Sequence, residues 1–171
     1  VMAIATFHRS TVWEDSLSFL KDTVEKNPDF YYIRGQYADE LAMRGDIKNA
    51  RIQYTIANEY NKRKKRLKNA GDFIQLQYWE MPELGLADLL TRERKIPEAI
   101  TAYEKIILDS RGESTQALNN VIVLYDGLLN DAGSRSDSDR IKRKLLFYSE
   151  KFYKKSVDAN AFFWLGRRFL M

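Results

Sequence analysis

The sequence predicts an all-α protein, a solenoid built from antiparallel helix pairs, and three observations lead to this prediction. Shifting the 171-residue chain against itself by 49 residues superposes small, aliphatic and aromatic residues at helical spacing. The superposed positions fall in pairs of amphipathic segments joined by short turn sequences, as in helix–turn–helix arrays. The shift equals a repeat of roughly 34 residues plus about 15 more, which indicates an insertion between two copies. It aligns Ala38 with Ala87, Leu41 with Leu90, Ile47 with Ile96, Ala50 with Ala99, Tyr54 with Tyr103, and Ala57 with Ile106.

The first predicted element, Trp13 to Lys26, has the pattern of a lone second helix of such a pair. Its Trp13 and Leu20 match Ile47 and Tyr54 of the following unit when the chain is shifted by roughly 34 residues. Pro28 follows this segment, and proline is common shortly after a helix because it cannot continue one.

The first full unit consists of two predicted helices, Tyr31 to Arg44 and Ile47 to about Leu67. Gly45-Asp46 supplies the stop and the turn between them. In the second helix small residues allow two helix axes to approach, and a tyrosine fills the space beside them. The residues predicted to face inward are Arg34, Tyr37, Ala38, Leu41, Ala50, Tyr54 and Ala57.

The second full unit repeats this arrangement with predicted helices from Pro82 to about Arg92 and from Pro97 to Asp109, separated by Arg94-Lys95. Each proline lies in a first helical turn, where the missing N–H costs nothing. The residues predicted to face inward are Leu86, Ala87, Leu90, Ala99, Tyr103 and Ile106.

The last part of the sequence predicts three further helices and one polar loop. Thr115 to Leu129 repeats the first-helix pattern, and Arg140 to about Ser156 is a return helix. Asn130 to Asp139 is a polar loop rich in Gly, Ser and Asp, which favour turns and helix caps. Asn160 to Met171 begins another first helix that has no partner in this chain.

At these residues the chain resembles the tetratricopeptide repeat (TPR) family. The resemblance implies a right-handed solenoid in which the first helices line a concave groove for an extended peptide or a partner helix. Arg34 and Glu83 depart from the family pattern where a first-helix tryptophan would stand, and Lys62 and Arg111 replace the terminal proline. The matching marks are Ala38, Leu41, Gly45-Asp46, Ala50, Tyr54 and Ala57, then Ala87, Leu90, Ala99 and Tyr103, together with Pro28 and Leu165-Gly166.

One TPR-like domain over residues 1–171 is therefore expected. Its predicted divisions are a half repeat (11–28), a repeat (30–64), an insertion (65–81), a repeat (82–111), a divergent repeat (115–156) containing the polar loop 130–139, and the first helix of an incomplete repeat (160–171).

A second, shorter resemblance lies at residues 7–15, Phe-His-Arg-Ser-Thr-Val-Trp-Glu-Asp. This segment, followed by a helix and Asn27-Pro28, is similar to the junction where multi-spanning membrane glycosyltransferases of the O-mannosyltransferase type continue into a C-terminal TPR region. It implies an alternative function, positioning an acceptor protein for a membrane enzyme, with membrane contact only through a preceding N-terminal region. That alternative implies an extracytoplasmic location, whereas a free-standing scaffold implies a cytoplasmic one.

Composition removes many catalytic classes. The chain has no cysteine and only one histidine, His8, so thiolate metal sites, cysteine nucleophiles, most zinc sites and most His-dependent triads are excluded. It also lacks a Gly-rich phosphate loop and a recognisable nucleophile motif. We therefore expect no catalytic residue, no metal and no cofactor, and a non-catalytic protein–protein interaction or assembly scaffold.

The groove that the TPR resemblance implies would carry polar side chains from successive first helices. Asp39 and Asp88 occupy equivalent places in the two repeats, so the pair favours a basic or neutral protein or peptide partner. The alternative is that they are ordinary solvated helix residues. The candidate groove residues are Tyr32, Gln36, Asp39, Asp88, Arg92, Asn119 and Asn120.

The basic surplus lies within residues 62–68. The chain's net charge is +4, and six of these seven residues are basic, so the remainder sums to −2 and predicts no specific nucleic-acid binding. The run can contact an anionic surface, whereas the alternative is a solvated extension of the helix. Its cations are Lys62, Arg63, Lys64, Lys65, Arg66 and Lys68.

Large apolar side chains near the end of the chain form the last candidate site. They would leave an apolar helix face uncovered, which typically marks an interface, here self-association into a homodimer. The alternative is that they pack on the preceding return helix. The residues are Phe162, Phe163, Trp164 and Phe169.

Overall fold

The computed structural model describes residues 15–67, 81–155 and 166, and within these ranges it contains helices and turns but no strand. The all-α prediction is thereby confirmed for the described part of the chain. The helices are α1 (Ser16–Lys26), α2 (Tyr31–Met43), α3 (Ile47–Leu67), α4 (Met81–Arg92), α5 (Ile96–Asp109), α6 (Thr115–Asn130) and α7 (Arg135–Lys155).

Helix boundaries follow the sequence signals closely, with two differences. The helix predicted from Trp13 begins at Ser16, because Asp15 is an extended N-cap whose side chain accepts a hydrogen bond from the Ser18 N–H. Helix α7 begins five residues earlier than predicted, so the polar loop is much shorter than the segment 130–139. The cause is Ser134, which accepts from the Asp137 N–H at 3.1 Å and donates to its carboxylate at 2.8 Å.

The chain divides into two compact units, residues 1–92 and 93–171, and the boundary falls within the predicted repeat 82–111. In the first unit α2 and α3 form a hairpin, α1 packs on α2, and α4 packs on both α2 and α3. The buried apolar residues of this unit are Val24, Tyr31, Ala38, Leu41, Ala42, Ala50, Tyr54, Ala57, Leu84, Ala87 and Leu89.

Three alanines explain the close packing in the first unit. Ala38, Ala50 and Ala57 are fully buried, since a side chain of one methyl group lets neighbouring helix axes approach. Leu89, which the repeat pattern did not single out, is buried more completely than Leu90. Of the three residues predicted to face inward on α4, Ala87 is buried, whereas Leu86 and Leu90 are only partly buried.

In the second unit α6 packs against both α5 and α7. Its buried apolar residues are Ala99, Ile100, Tyr103, Ile106, Ile107, Ala117, Leu118, Val121, Ile122, Tyr125, Ile141, Leu145, Tyr148 and Phe152. Each of its three helices is therefore buried along one stripe, as the helical spacing of these residues requires.

Helices α2 and α5 end with different residues in the left-handed conformation. After α2, Gly45 has a φ of 85°, and the Asp46 N–H donates to the carbonyl oxygen of Leu41 at 2.9 Å. After α5, Arg111 holds this position with a φ of 56°, and the Gly112 N–H donates to the Ile107 carbonyl oxygen at 2.7 Å. Both are Schellman-type ends, but only the first uses glycine, the residue that adopts positive φ without strain.

Candidate protein-binding surface

Three of the predicted groove residues share one face of α2. Tyr32, Gln36 and Asp39 are spaced by one or two helical turns, and all three are half-buried. The Gln36 side-chain amide donates to the Tyr32 hydroxyl at 3.2 Å. This face therefore presents a carboxylate, an amide and a hydroxyl next to one another.

Asp39 lies against the hydroxyl of Tyr54, which reaches it from α3 and donates a hydrogen bond to its Oδ1. Burial raises the pKa of Asp39, the hydrogen bond from Tyr54 opposes that effect, and the negative charge of Asp88 on α4 adds to it. The charge of Asp88, which was predicted from its equivalent place in the repeats, therefore acts on Asp39.

Tyr54 remains a hydrogen-bond donor at any physiological pH. Burial raises its pKa, and the neighbouring charge of Asp39 raises it further. The phenol therefore orients one oxygen of the Asp39 carboxylate without competing for its proton.

Gly85 of α4 is what allows this arrangement. A Cβ atom at Gly85 would lie 2.2 Å from Cε1 of the Tyr54 ring, closer than any real contact. The helix backbone thus passes directly over the ring, and Asp88, three residues further along, is carried to the same face. The signal for this contact was absent from the sequence pattern, because Gly85 is not one of the repeated positions.

Arg92 has an intramolecular contact of its own. Its guanidinium donates to the carbonyl oxygen of Ala42 at 3.0 Å, in the last turn of α2, where a cation is favoured by the helix dipole. The side chain thereby links α4 to α2 while its positive charge also acts on Tyr54. With Asp39 and Asp88 ionised, the three groups carry a net charge of −1.

The two asparagines of the predicted groove belong to the second unit. The Asn120 amide on α6 donates to the hydroxyl of the buried Tyr103 on α5 at 3.3 Å, and the neighbouring Asn119 is partly exposed. A single groove containing these residues and those of the first unit stays a prediction.

Sequence reasoning missed a second cluster, which is centred on Glu104 in α5. One carboxylate oxygen accepts hydrogen bonds from Tyr148 at 2.8 Å, Tyr125 at 2.9 Å and Lys144 at 3.1 Å. Burial raises the pKa of Glu104, but these three donors outweigh it and hold the pKa below its ordinary value. The cluster joins α5, α6 and α7, and no local sequence pattern predicts it because its members lie up to 44 residues apart.

The basic run is only partly within the described residues. Helix α3 continues to Leu67, as the helix-extension interpretation expects. Lys62 pairs with Glu59 at 3.3 Å and Arg63 is exposed. Lys68 lies outside the described residues, as do the four candidate self-association residues Phe162, Phe163, Trp164 and Phe169.

The described residues offer neither a metal site nor a membrane span. They contain no group of three or more His, Cys, Asp or Glu side chains placed to hold a metal ion. None of the described helices is both long and apolar enough to cross a membrane.

Comparison with protein-family models, with curated proteins and with solved structures gave no match to this chain.

Proposed function

We propose that this chain is a TPR-like, non-catalytic interaction module, and that the face of α2 and α4 in the first unit binds a basic or neutral segment of a partner protein. The single observation that carries the proposal is that two packed helices, α2 and α4, carry acidic residues at equivalent repeat positions, and that the charge of Asp88 acts on Asp39. The charge of Asp88 disfavours ionisation of Asp39, and a bound cation would offset that cost.

The hydrogen bonding of Asp39 supports a ligand-binding role. Tyr54 occupies one carboxylate oxygen, so the other can accept a hydrogen bond from a lysine, an arginine or an amide of a partner. A cation placed there would offset the repulsion between Asp39 and Asp88 and would therefore bind more tightly than it would to either carboxylate alone.

The neighbouring polar groups suit an extended peptide. The Tyr32 hydroxyl and the Gln36 amide lie along the same face of α2, within reach of the backbone of a chain lying across it. Side-chain charge would then select the partner, and these two groups would add hydrogen bonds that any peptide backbone can satisfy.

A fluorescence-anisotropy titration tests the proposal with three labelled peptides of equal length, one rich in lysine, one neutral and rich in asparagine, and one ending in an acidic C-terminal tail. We expect affinity in the order lysine-rich, neutral, acidic, because the surface carries a net negative charge. Replacing Asp39→Asn or Asp88→Asn should weaken binding of the lysine-rich peptide about tenfold each.

The matched control is the pair Asp109→Asn and Asp131→Asn, which removes exposed carboxylates of the second unit. These variants have the same net-charge change and should bind the lysine-rich peptide like the parent protein. Equal weakening by the control pair would show that only overall charge matters, and preference for the acidic tail would reverse the proposed specificity.

A further inference from the structure

The second strongly basic element of this protein is α7. Arg135–Lys155 contains eight Lys or Arg residues and three Asp or Glu residues, a net charge of +5, whereas the whole chain carries only +4. Counting consecutive charges found the run at residues 62–68 and missed α7, because apolar residues alternate with its cations at helical spacing. The residues outside these two segments together carry a net charge of −7.

Four of the cations share one face of α7 with a phenylalanine, and we call this face the basic stripe; its side chains are exposed except that of Lys151, which is partly buried. Its members are separated by three or four residues, so they line up along the helix over about 21 Å. The stripe consists of Arg140, Arg143, Phe147, Lys151 and Lys154. The buried face of the same helix consists of Ile141, Leu145, Tyr148, Ser149 and Phe152.

The cations of the basic stripe are weakly engaged within the protein. Arg140 is 3.6 Å from Asp137, and Lys154 is 2.9 Å from Glu150, in pairs whose four side chains are at least half exposed. Such pairs contribute little, since water screens them and both side chains lose freedom on pairing. Among the described residues no carboxylate pairs with Arg143 or Lys151, and these cations are therefore available to an external anion.

Phe147 at the centre of the stripe is half exposed. The Lys151 ammonium lies 4.6 Å from the ring centroid, and the Tyr148 ring centroid is 5.1 Å away in an edge-to-face arrangement. A nucleobase stacking on Phe147 would compete with Lys151 for a ring face. The exposed part of Phe147 suits insertion into an apolar or interfacial layer, with Lys151 keeping its charge in water.

The shape and composition of the stripe favour a lipid surface over a protein partner. A stable protein interface needs a cluster of apolar anchors at its centre, whereas the stripe has one exposed aromatic side chain surrounded by cations. A bilayer presents phosphates in every direction of a plane, so a straight, convex helix can contact it without matched spacing.

We propose that the basic stripe binds the surface of an anionic phospholipid bilayer, its four cations contacting headgroup phosphates and carboxylates while Phe147 enters the headgroup layer. This site lies on residues separate from the peptide-binding face of the first unit and from the run at residues 62–68.

Co-sedimentation of the full chain with vesicles tests the proposal, using phosphatidylcholine alone and phosphatidylcholine mixed with phosphatidylserine. The protein should bind only the mixed vesicles and should dissociate as salt is raised. The double variant Arg143→Glu, Lys151→Glu should bind them at least about 25-fold more weakly. The control variant Lys48→Glu, Lys105→Glu changes net charge equally at exposed helix positions outside the stripe and should lose far less.

A second pair of variants isolates the aromatic contact. Phe147→Ala should weaken vesicle binding at constant charge, whereas Leu108→Ala, which truncates a more exposed apolar residue on α5, should not. Circular dichroism confirms that each variant folds. Three results would overturn the proposal. The first is failure of the protein to bind mixed vesicles, and the second is equal loss of binding in the two double variants. The third is that the protein binds a labelled single-stranded RNA through the stripe without binding vesicles.

Discussion

Each unit of this protein joins tyrosine hydroxyls to a carboxylate, but the two clusters differ in what surrounds the negative charge. In the first unit Asp39 has one tyrosine donor and faces a second carboxylate, so its pKa is raised. In the second unit Glu104 has two tyrosine donors and a lysine, so its pKa is lowered.

The difference separates a site that can accept a ligand from one that holds helices together. Glu104 is satisfied by groups of its own chain, and protonating it would remove hydrogen bonds that join three helices. Asp39 differs, because its ionisation destabilises the folded protein, and a bound cation would offset that destabilisation. Ligand-binding groups commonly reduce stability in this way.

The largest expected effect comes from Gly85→Ala, which places a methyl group where the Tyr54 ring lies. Either α4 or the ring must move, and overpacking of this kind should lower the free energy of unfolding by about 3 kcal/mol. Urea unfolding followed by circular dichroism measures it, and binding of the lysine-rich peptide should fall in parallel.

Gly127→Ala is the matched control for that substitution. Gly127 lies inside α6, and among the described residues no atom beyond its chain neighbours and the nearby helix backbone lies within 4 Å of an added Cβ, so alanine should stabilise the helix by about 0.5–1 kcal/mol. If both alanine variants were as stable as the parent, the tight contact of Gly85 with Tyr54 would be disproved.

Glu104→Ala should have the next largest effect, about 2 kcal/mol of lost stability, because it leaves two half-buried tyrosine hydroxyls and Lys144 without their shared acceptor. Glu150→Ala removes a carboxylate from an exposed ion pair and should cost less than about 0.5 kcal/mol. Similar unfolding midpoints for the two variants would argue against the helix-joining role of Glu104.

The pH dependence of the second unit follows from the lowered pKa of Glu104. A carboxyl group with a lowered folded-state pKa contributes stability above its ordinary value of 4.5, and this contribution is lost as the pH falls through the folded-state pKa. Below pH 4.5 the free energy of unfolding of the parent should therefore fall more steeply with decreasing pH than that of Glu104→Gln. Parallel acid-unfolding curves would show that this carboxylate is not linked to folding.

The ends of α2 and α5 provide a further comparison, with an intermediate effect. Arg111→Gly should stabilise the protein by about 1 kcal/mol, because glycine adopts the left-handed conformation without the strain of a Cβ atom. Gly45→Ala should destabilise it by a similar amount at the equivalent helix end. Thermal unfolding measures both, and a loss of stability in Arg111→Gly would reveal a contact of the arginine that outweighs backbone strain.

The smallest effect should be that of Asp39→Asn, and its sign distinguishes the two clusters. Because the folded-state pKa of Asp39 is raised, the protonated form favours folding, and this contribution is lost as the pH rises through that pKa. The neutral asparagine should therefore stabilise the protein at neutral pH by up to about 0.5 kcal/mol while it weakens peptide binding. A destabilised Asp39→Asn variant would place Asp39 in the same structural class as Glu104.

Local signals in the sequence were sufficient for most of the secondary structure. Pro28, Gly45 and Pro97 mark helix ends or beginnings, and α3 begins and ends where its predicted helix does. The capping role of Ser134 was missed, since a stretch rich in Ser, Asp and Gly favours a loop and a helix start alike.

Among the candidate sites too, local sequence signals found some residues and missed others. Repeat equivalence alone selected Asp39 and Asp88, and the charge of Asp88 acts on Asp39 in the structure, but their role in binding stays a prediction. Gly85 and Glu104 could not be selected, because a close backbone approach and a shared acceptor depend on which helices pack together.

The sequence by itself determined the helical class, the inner face of the helices and the likeness of Asp39 to Asp88, because each is written in residue spacing along one or two helices. Only the tertiary structure decided that Tyr54 would orient Asp39, that Glu104 would join three helices, and that the other helices would leave the basic stripe of α7 uncovered. These depend on distances between segments far apart in the chain, and such distances are set by side-chain packing rather than by local periodicity.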